Sequence, residues 1–345
     1  MDSGIIQSFV QNGDVIGADS ALYEYLNGPY LKQFSSADSI DVTSLSALLH
    51  QYLSIAIQAD KIVQEQHQQL PERVENATRL LTRYFNAAVN DRSPTLARKS
   101  TVLLIFGLLF PAYVHLGNWR LAGNVIRFLD SGTGVDGAGG GGVVKSDRVR
   151  YGYWRGRYAL SQGDAAQADA HFQNAFRACH HSHAAALASI YSFWALARLY
   201  IHKRMPKKDI FPSNSNAHAR VIAQIINKVK VGDVVGFRQV MQEHQVLLLK
   251  NHLYYFLAAK LSHLVVRQLC RRVWLALNED SRLQLSSLVA GCRILCPHCT
   301  TDEAIEEEEM ECLLANAINE GLIKGYISHE RKVLVLSKKN PFPIQ

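Results

Sequence analysis

Apolar residues recur at three- and four-residue steps along the first two-thirds of the chain, which is the spacing of an amphipathic helix. Two stretches carry this pattern most clearly. Their apolar positions are Leu45, Leu48, Leu49, Tyr52, Ile55, Ala56, Ala59, Ile62 and Val63 in the first, and Leu187, Ile190, Tyr191, Trp194 and Ile201 in the second. The pattern predicts a succession of helices, each with one face in a common core.

One stretch fits a helical-repeat template. A tetratricopeptide unit needs small, small, aromatic and small residues where its two helices touch, and these positions are taken by Gly156, Ala168, Phe172 and Ala175. The initial Trp and terminal Pro of the template are absent, so the repeat is degenerate. Residues 116–129 (LGNWRLAGNVIRFL) suit the second half of an earlier helical pair. The pattern therefore predicts a stack of helical hairpins.

A glycine-rich segment, SGTGVDGAGGGGVV at residues 131–144, interrupts this stack. It contains a GxGxxG pattern at Gly132, Gly134 and Gly137. Dinucleotide binding requires a helix to begin there and to present its amides to a pyrophosphate. Four consecutive glycines follow instead, and they disfavour a helix. We therefore predict a flexible insertion loop over residues 131–147.

The last third of the chain changes character. A capping box at Thr300 and Glu303 begins one predicted helix, and Gly321 ends it. The predicted elements are three helices and then two strands, over residues 261–277, 282–295, 300–321, 324–328 and 332–337. Three helices followed by a β-hairpin predict a winged helix.

Composition adds a charge asymmetry to this picture. The net charge is −2 over residues 1–130, +13 over residues 131–301 and −4 over residues 302–345. A basic middle segment suits nucleic acid or an acidic protein, although a solvated surface without a partner has the same composition. The longest apolar run, Val102–Val114, contains Pro111 and is too short to cross a bilayer, so we expect no membrane insertion.

The C-terminal sequence EGLIKGYISHERKVLVLSKKNPFP (320–343) closely resembles the end of PCI-domain proteins of the messenger-RNA export branch. That branch includes the PCI subunit of the transcription-and-export complex two and its signalosome-associated relative. The family's short Met-Pro linker and two of its helix motifs have matches upstream. These are carried by Met205 and Pro206, by Gly232, Asp233 and Phe237, and by Arg267 and Leu269.

The resemblance implies an all-α, TPR-like helical-repeat stack followed by a C-terminal winged helix, together the PCI domain, with no catalysis and no cofactor. It implies pairing with a large, second PCI-like scaffold subunit and bracing by a small, acidic, disordered subunit. It also implies a nuclear protein with indirect nuclear-pore association, whose winged helix contributes to a sequence-nonspecific platform for RNA or DNA. The expected domains are residues 1–130, the loop 131–147, the repeats 148–258 and the winged helix 259–345.

Two basic clusters are candidates for nucleic-acid contact, because neighbouring cations can neutralise several phosphates. The first lies in the hairpin and tail, and comprises Lys324, His329, Arg331, Lys332, Lys338 and Lys339. The second, at an interhelix turn, comprises Lys203, Arg204, Lys207 and Lys208. Edge-strand lysines that prevent sheet aggregation remain an alternative for the first cluster, and a solvated turn for the second.

Partner contacts are assigned to five residues of the winged helix, namely Arg267, Arg271, Arg272, Tyr326 and Phe342. Because proline cannot donate to a strand ladder, Pro341 ends the hairpin pairing, and we expect Phe342 to fold back into an apolar groove. The third helix begins in DEAIEEEEME (302–311), whose carboxylates repel phosphate. We therefore expect no duplex recognition through that helix.

Two groups of Cys and His invite a zinc reading, Cys292, Cys296, His298 and Cys299 in one and Cys179, His180, His181 and His183 in the other. A closed structural site needs four suitably spaced ligands, which neither group supplies, so no metal is predicted. No catalytic arrangement is recognisable, and we predict a protein that is not an enzyme. The alternative function is a structural subunit of a signalosome- or proteasome-lid-like PCI complex without nucleic-acid binding.

Overall fold

The computed structural model describes residues 14–36, 41–67, 72–90, 96–130, 144–203, 217–297 and 305–343. The chain divides into two compact units, residues 1–155 and 156–345. The first unit contains the helices α1 (Val15–Tyr25), α2 (Leu31–Ser36), α3 (Val42–His67), α4 (Glu72–Asn90), α5 (Leu96–His115) and α6 (Trp119–Asp130), and helix α7 (Lys145–Ser161) continues across the division. A π-helical segment, Leu26–Tyr30, joins α1 to α2.

The centre of the N-terminal unit is helix α5, whose side chains from Thr101 to Phe110 are all buried. It packs against α3, α4 and α6. The apolar face predicted for residues 45–63 is confirmed, because Leu45, Leu49, Tyr52, Ile55, Ala56 and Ala59 of α3 are buried. The predicted helical pair ending at residue 129 is confirmed as α5 and α6.

The second unit adds the helices α8 (Ala165–Ala178), α9 (Ala184–His202), α10 (Ala217–Val231), α11 (Val234–Glu243), α12 (Gln245–Lys250), α13 (Tyr254–Phe256), α14 (Ser262–Ala276), α15 (Leu285–Leu295) and α16 (Glu307–Asn319). A π-helical segment, Leu257–Leu261, leads from α13 into α14. The strands are β1 (Arg282–Gln284), β2 (Gly325–Ser328) and β3 (Val333–Leu336). A mostly helical stack followed by a small C-terminal sheet confirms the predicted fold class.

The tetratricopeptide-like positions are the places where two helices approach closely. Gly156, Ala168, Phe172 and Ala175 are all buried. A Cβ atom on Gly156 would lie 2.7 Å from Cε1 of Phe172, closer than carbon atoms can approach. The small residue on α7 is therefore required by the aromatic ring on α8.

Two helix starts of the second unit share a Gly-Asp turn. Gly163 and Gly232 have φ angles of +81° and +77°, which glycine adopts without steric cost. The following aspartate caps the next helix, because Asp164 Oδ1 accepts from Gln167 N at 3.0 Å and Asp233 Oδ1 accepts from Gly236 N at 2.8 Å. The Gly-Asp pair thus ends one helix and begins the next.

Helix α9, rather than the run Val102–Val114, has the length and mean hydropathy of a membrane span among the described residues. Half of its apolar stretch is buried inside the structure. Phe193, Leu196 and Leu199 are within the core, and α9 packs on α8 and α10. This burial is typical of a core helix.

The three strands form one antiparallel sheet in the order β1-β3-β2. Residues 282–284 were predicted to begin the second helix, and this prediction is wrong. Leu283 pairs with Leu334 of β3, and the alternation exposed-buried-exposed along β1 has the two-residue period of a strand. The helix therefore begins at Leu285. The hairpin strands predicted at 324–328 and 332–337 are confirmed as β2 and β3.

Several predictions fall outside the described residues. They are most of the glycine-rich loop (131–143), the Met205-Pro206 linker, the basic residues Arg204, Lys207 and Lys208, the side chains of the capping box at Thr300 and Glu303, and the candidate ligands His298 and Cys299. The start of the third helix predicted at residue 300 is wrong, because Ile305 and Glu306 are not helical and α16 begins at Glu307, with Glu306 as its N-cap residue. Residues 145–147 of the predicted loop belong to helix α7, so the loop ends earlier than predicted. The domain limits at residues 130, 147 and 258 remain predictions.

Candidate nucleic-acid interface

The two faces of the winged-helix sheet differ in character. Leu283, Leu334 and Leu336 are buried on the inner face. On the outer face, Val335 of β3 is paired with Arg282 on one side and Tyr326 on the other. Arg282 is exposed, and Tyr326 is 63% exposed. An arginine and a tyrosine therefore lie in one cross-strand row that faces solvent.

The glycine of the Gly-Tyr-Ile-Ser-His run is fixed by the hairpin itself. A Cβ atom on Gly325 would overlap the carbonyl oxygen of Val335 on the neighbouring strand. The strand alternation that follows from this register points Tyr326 away from the core. Lys324, two residues before Tyr326, is also exposed.

The basic hairpin is partly neutralised by one carboxylate of α16. His329 Nδ1 lies 2.9 Å from Glu311 Oε1, and Lys332 Nζ lies 3.4 Å from Glu311 Oε2. The hydrogen bond with His329 and the charge of that histidine, followed by the contact with Lys332, hold the pKa of Glu311 below its usual range. Two of the six predicted phosphate ligands thus have a partner within the chain.

The other four cations of this cluster are differently placed. Lys324, Arg331, Lys338 and Lys339 are exposed. In the part of the chain that the structure describes, none of them forms an ion pair. The tail is brought back to β2, because Lys324 N donates to the carbonyl of Pro341 at 2.8 Å and Ser337 N donates to the carbonyl of Lys324 at 2.8 Å. Lys324 therefore lies close in space to the tail lysines.

The predicted docking of the tail is confirmed. Phe342 is 6% exposed, and its ring meets Trp274 edge-on with ring centroids 5.5 Å apart. Arg267 is 4% exposed and donates from Nη2 to the carbonyl of Phe342 at 3.1 Å. Burial and the nearby Arg271 lower the pKa of Arg267 to about 10. The partner-binding assignment of Arg267 and Phe342 is revised, since both side chains are used inside the chain.

Arg271, Arg272 and Tyr326, the other assigned partner contacts, are exposed. Arg272 Nη1 donates to the carbonyl of Val231 at 2.7 Å, at the end of α10. A cation is favourable there because the last carbonyls of a helix carry partial negative charge. Arg272 therefore has a structural contact in addition to its exposed surface.

Of the second basic cluster, Lys203 is the described member. It ends α9 in a left-handed conformation with φ 51°. Burial and the charge of Arg267 lower the pKa of Lys203. The structure does not describe Arg204, Lys207 or Lys208, so this cluster remains a prediction.

Helix α16 begins with a carboxylate-rich turn, formed by Glu307, Glu308 and Glu309. Arg238 Nη1 of α11 lies 2.6 Å from Glu309 Oε1. The carboxylates of this turn are stabilised by the positive end of the helix dipole, and they repel the phosphates of a nucleic acid. This negative charge is the reason for the prediction that α16 does not read duplex DNA, which stays a prediction.

No group of three or more His, Cys, Asp or Glu residues with metal-binding geometry occurs within the described ranges. Cys270 and Cys292 are buried near each other, and burial raises the pKa of the Cys270 thiol. A raised thiol pKa disfavours the thiolate that a metal needs. Cys292 is therefore a buried side chain of the core.

Sequence reasoning missed two glutamates that organise this unit. Glu311 neutralises part of the hairpin, and Glu320 follows α16. Glu320 Oε1 accepts from Lys260 Nζ at 2.9 Å, and its Oε2 lies 3.3 Å from His263 Nδ1. The hydrogen bond to Glu320 raises the pKa of Lys260. No local motif signals either residue, because each partner is 18 or more positions away.

Comparison with known proteins places this interface in a family context. Residues 241–338 match the family model of the PCI domain. The chain is 29% identical over 304 residues to the "Protein CSN12 homolog" of Schizosaccharomyces pombe, covering 88% of this chain and 69% of that protein. It is 29% identical over 276 residues to the "PCI domain-containing protein 2 homolog" of Dictyostelium discoideum, covering 78% and 60%.

A third relative, the "COP9 signalosome complex subunit 12" of Eremothecium gossypii, is 28% identical over 273 residues, covering 75% of this chain and 65% of that protein. The alignments thus span 60% to 69% of the length of these three relatives. The matched PCI region runs from the end of α11 to Lys338, and so contains the sheet, Arg267 and all of the basic cluster except Lys339. Residues 241–338 are thus similar to the PCI domain, and the chain as a whole is similar to the CSN12 homologues and to the PCI domain-containing protein 2 homolog.

Proposed function

We propose that the chain is a non-catalytic scaffold subunit of a nuclear, transcription-coupled messenger-RNA export complex, and that its winged helix binds RNA or DNA without sequence specificity. The observation that carries this proposal is the exposed ring of Tyr326 beside cations that have no ion pair among the described residues. Single-stranded nucleic acid is bound by such a combination, since the bases stack on aromatic rings and the backbone follows positive charge.

In this mechanism the outer face of the sheet and the tail act together. Tyr326 provides the stacking surface, and Arg282 lies in the same cross-strand row. Lys324, Lys338 and Lys339 contact successive phosphates. Because none of these groups recognises base edges, the affinity depends on salt and hardly on sequence. The strand avoids the acidic start of α16.

The partners follow from the PCI fold and the remaining exposed groups. A second, large PCI-like scaffold subunit would dock beside the winged helix, where α14 exposes Arg271, Leu275 and the following Leu277. Aliphatic side chains and an arginine are suited to the core of a protein interface. A small, acidic, disordered subunit would bind the basic surface of the chain, and association with the nuclear pore would be indirect.

The nucleic-acid part is tested with a fluorescent single-stranded RNA whose anisotropy is measured over a range of salt concentrations. The double variant Lys338→Glu/Lys339→Glu should weaken binding at ~0.1 M salt more than about tenfold, and should flatten the salt dependence. Tyr326→Ala should weaken binding by about 1–3 kcal/mol through lost stacking, with the salt slope unchanged. Lys250→Glu, at an exposed lysine of α12, is a charge-reversal control outside the hairpin and tail, and should weaken binding far less. Salt-insensitive binding, or none, would contradict the proposal.

The name of one relative, a COP9 signalosome complex subunit, favours a second candidate function. The chain would then be a structural subunit of a signalosome- or lid-like PCI complex without nucleic-acid binding. Affinity capture of the tagged protein from nuclear extract, with mass spectrometry, separates the two. Recovery of a second PCI-like scaffold with nuclear-pore components supports the export complex. Recovery of signalosome or lid subunits supports the second candidate.

A further inference from the structure

A cavity of about 430 Å³ lies in the N-terminal unit, lined by α1, α3 and α4. Four of its lining side chains are carboxylates, against a single guanidinium. They are Asp19, Glu24, Asp60 and Glu72, with Arg73. The lining therefore carries an excess of formal negative charge, which favours a cationic ligand and disfavours an anion.

One buried carboxylate of the lining has an oxygen without a hydrogen-bond partner among the described residues. Asp19 is 5% exposed, and Arg73 Nη1 lies 2.9 Å from its Oδ2. Its Oδ1 is buried and has no hydrogen-bond partner among the described residues. Burial raises the pKa of Asp19 in spite of the neighbouring Arg73. The guanidinium of Arg73 alone thus does not fully compensate the buried charge of Asp19. A second hydrogen-bond donor at Oδ1 would complete the compensation.

The second buried carboxylate is already occupied. Asp60 Oδ1 accepts from Arg73 N at 3.1 Å, and its Oδ2 accepts from Val74 N at 2.8 Å. It therefore caps the beginning of α4 from within α3. Glu24 and Glu72 are exposed at the rim and attract a cation from solvent. Asp19 Oδ1 is therefore the buried acceptor of this lining that is left for a ligand.

The volume and the lining of the cavity favour an organic cation over a metal ion. A metal ion is disfavoured, because no three carboxylates of the described chain converge on one point. The cavity has the volume of a small-molecule site. Tyr23 and Tyr52 also line it, and tyrosine rings attract guanidinium and ammonium groups.

We propose that this pocket binds a guanidinium or ammonium group, with Asp19 Oδ1 as the buried acceptor and Glu24 and Glu72 as the attracting rim. The group can belong to a small free cation or to an arginine or lysine side chain of a basic peptide. The two sources share the same chemistry and differ in what else contacts the protein. The inference is independent of nucleic-acid binding by the winged helix.

The test uses the full-length chain and isothermal titration calorimetry with three probes. These are argininamide, spermidine, and a short flexible peptide with one central arginine, compared with the same peptide carrying glutamine there. Binding of argininamide or spermidine assigns the site to a free cation. Binding of the arginine peptide alone assigns it to a peptide side chain. Absence of binding by all three probes overturns the proposal.

Variants locate the binding in the pocket. Asp19→Asn should lower the affinity about ten- to a hundredfold, because a charged hydrogen bond is lost. The double variant Glu24→Gln/Glu72→Gln changes only exposed side chains, so it provides a test even if Asp19→Asn fails to fold. It should lower the affinity for the cation and reduce the salt dependence of that affinity. Glu75→Gln removes one exposed carboxylate charge from α4 outside the pocket, as Asp19→Asn removes one inside it, and should have no effect. Equal affinity in the double variant and in the control would overturn the proposal.

Discussion

Arg267 and Phe342 hold the C-terminal tail against helix α14. The guanidinium of Arg267 donates to the carbonyl of Phe342 at 3.1 Å, and its carbon lies 5.9 Å from the centroid of the Phe342 ring. The same Nη2 is 3.4 Å from the carbonyl of Pro343. Within the described ranges no carboxylate pairs with this buried cation: backbone carbonyls accept from Nη2 and the Phe342 ring lies beside the guanidinium, while Nε has no hydrogen-bond partner there. The tail is part of the folded winged helix.

Replacement of Phe342 by alanine should therefore destabilise the C-terminal unit. Deleting a buried phenylalanine ring costs about 3–5 kcal/mol through lost burial and the cavity that remains. We expect a lower melting temperature by calorimetry. Tyr326→Ala removes an aromatic ring that is 63% exposed, and should change the melting temperature little. Equal melting temperatures for wild type and Phe342→Ala would contradict the role of the tail.

The turn between α10 and α11 provides a second prediction. Gly232 has a positive φ, and a Cβ atom there would lie 2.7 Å from the backbone nitrogen of Leu269 on α14. Gly163 has a similar φ, but open space surrounds it. Gly163→Ala should cost roughly 1–2 kcal/mol, from backbone strain alone. Gly232→Ala should cost clearly more, because α14 must also move away. Chemical denaturation of both variants checks this, and equal losses would exclude the packing role.

The sequence was sufficient for the helices and the hairpin, because their periodicity is local. The strand β1 was missed for a physical reason. Three residues such as Arg282-Leu283-Gln284 have no decisive preference for helix or strand. They form a strand only because β3 offers a free edge with which they can pair. The ion pairs of the hairpin could not be predicted for the same reason, because they join residues that are distant in the sequence. The six basic residues of the hairpin and tail are visible in the sequence, but the carboxylate that neutralises His329 and Lys332 lies on α16.

A buried histidine predicts how stability depends on pH. His218 stacks on Phe193 with ring centroids 4.7 Å apart, and neither of its nitrogens has a partner among the described residues. Burial, with a smaller contribution from Arg157, lowers the pKa of His218 to about 4. The folded state therefore favours neutral His218, and the unfolded chain binds the proton near pH ~6.5. This contribution to stability is complete above pH ~6.5 and is lost as the pH falls towards about 4.

The variant His218→Phe keeps an aromatic ring and removes the titration. We expect its unfolding free energy to fall less than that of wild type between pH ~6.5 and ~4, by up to about 3 kcal/mol. His181→Phe, at an exposed histidine, should retain the wild-type dependence. Parallel curves for His218→Phe and wild type would show that His218 is protonated equally in both states.

The Glu311 contact predicts a gain of function rather than a loss. Glu311→Gln removes the charge that holds Lys332 at 3.4 Å and His329 at 2.9 Å. One released lysine adds up to one phosphate contact, which should steepen the slope of log K against log salt by about 0.7 for a single strand. We expect the affinity for single-stranded RNA, measured by fluorescence anisotropy at low salt, to increase.

The matched control for this gain is Glu308→Gln, which removes an exposed carboxylate of the same helix. Both variants change the net charge equally, so any general electrostatic attraction increases equally in both. Only Glu311→Gln also releases basic groups of the hairpin. A larger gain in Glu311→Gln than in Glu308→Gln therefore locates the strand at the hairpin. Equal gains would mean that the nucleic acid responds to the overall charge and binds elsewhere on the chain.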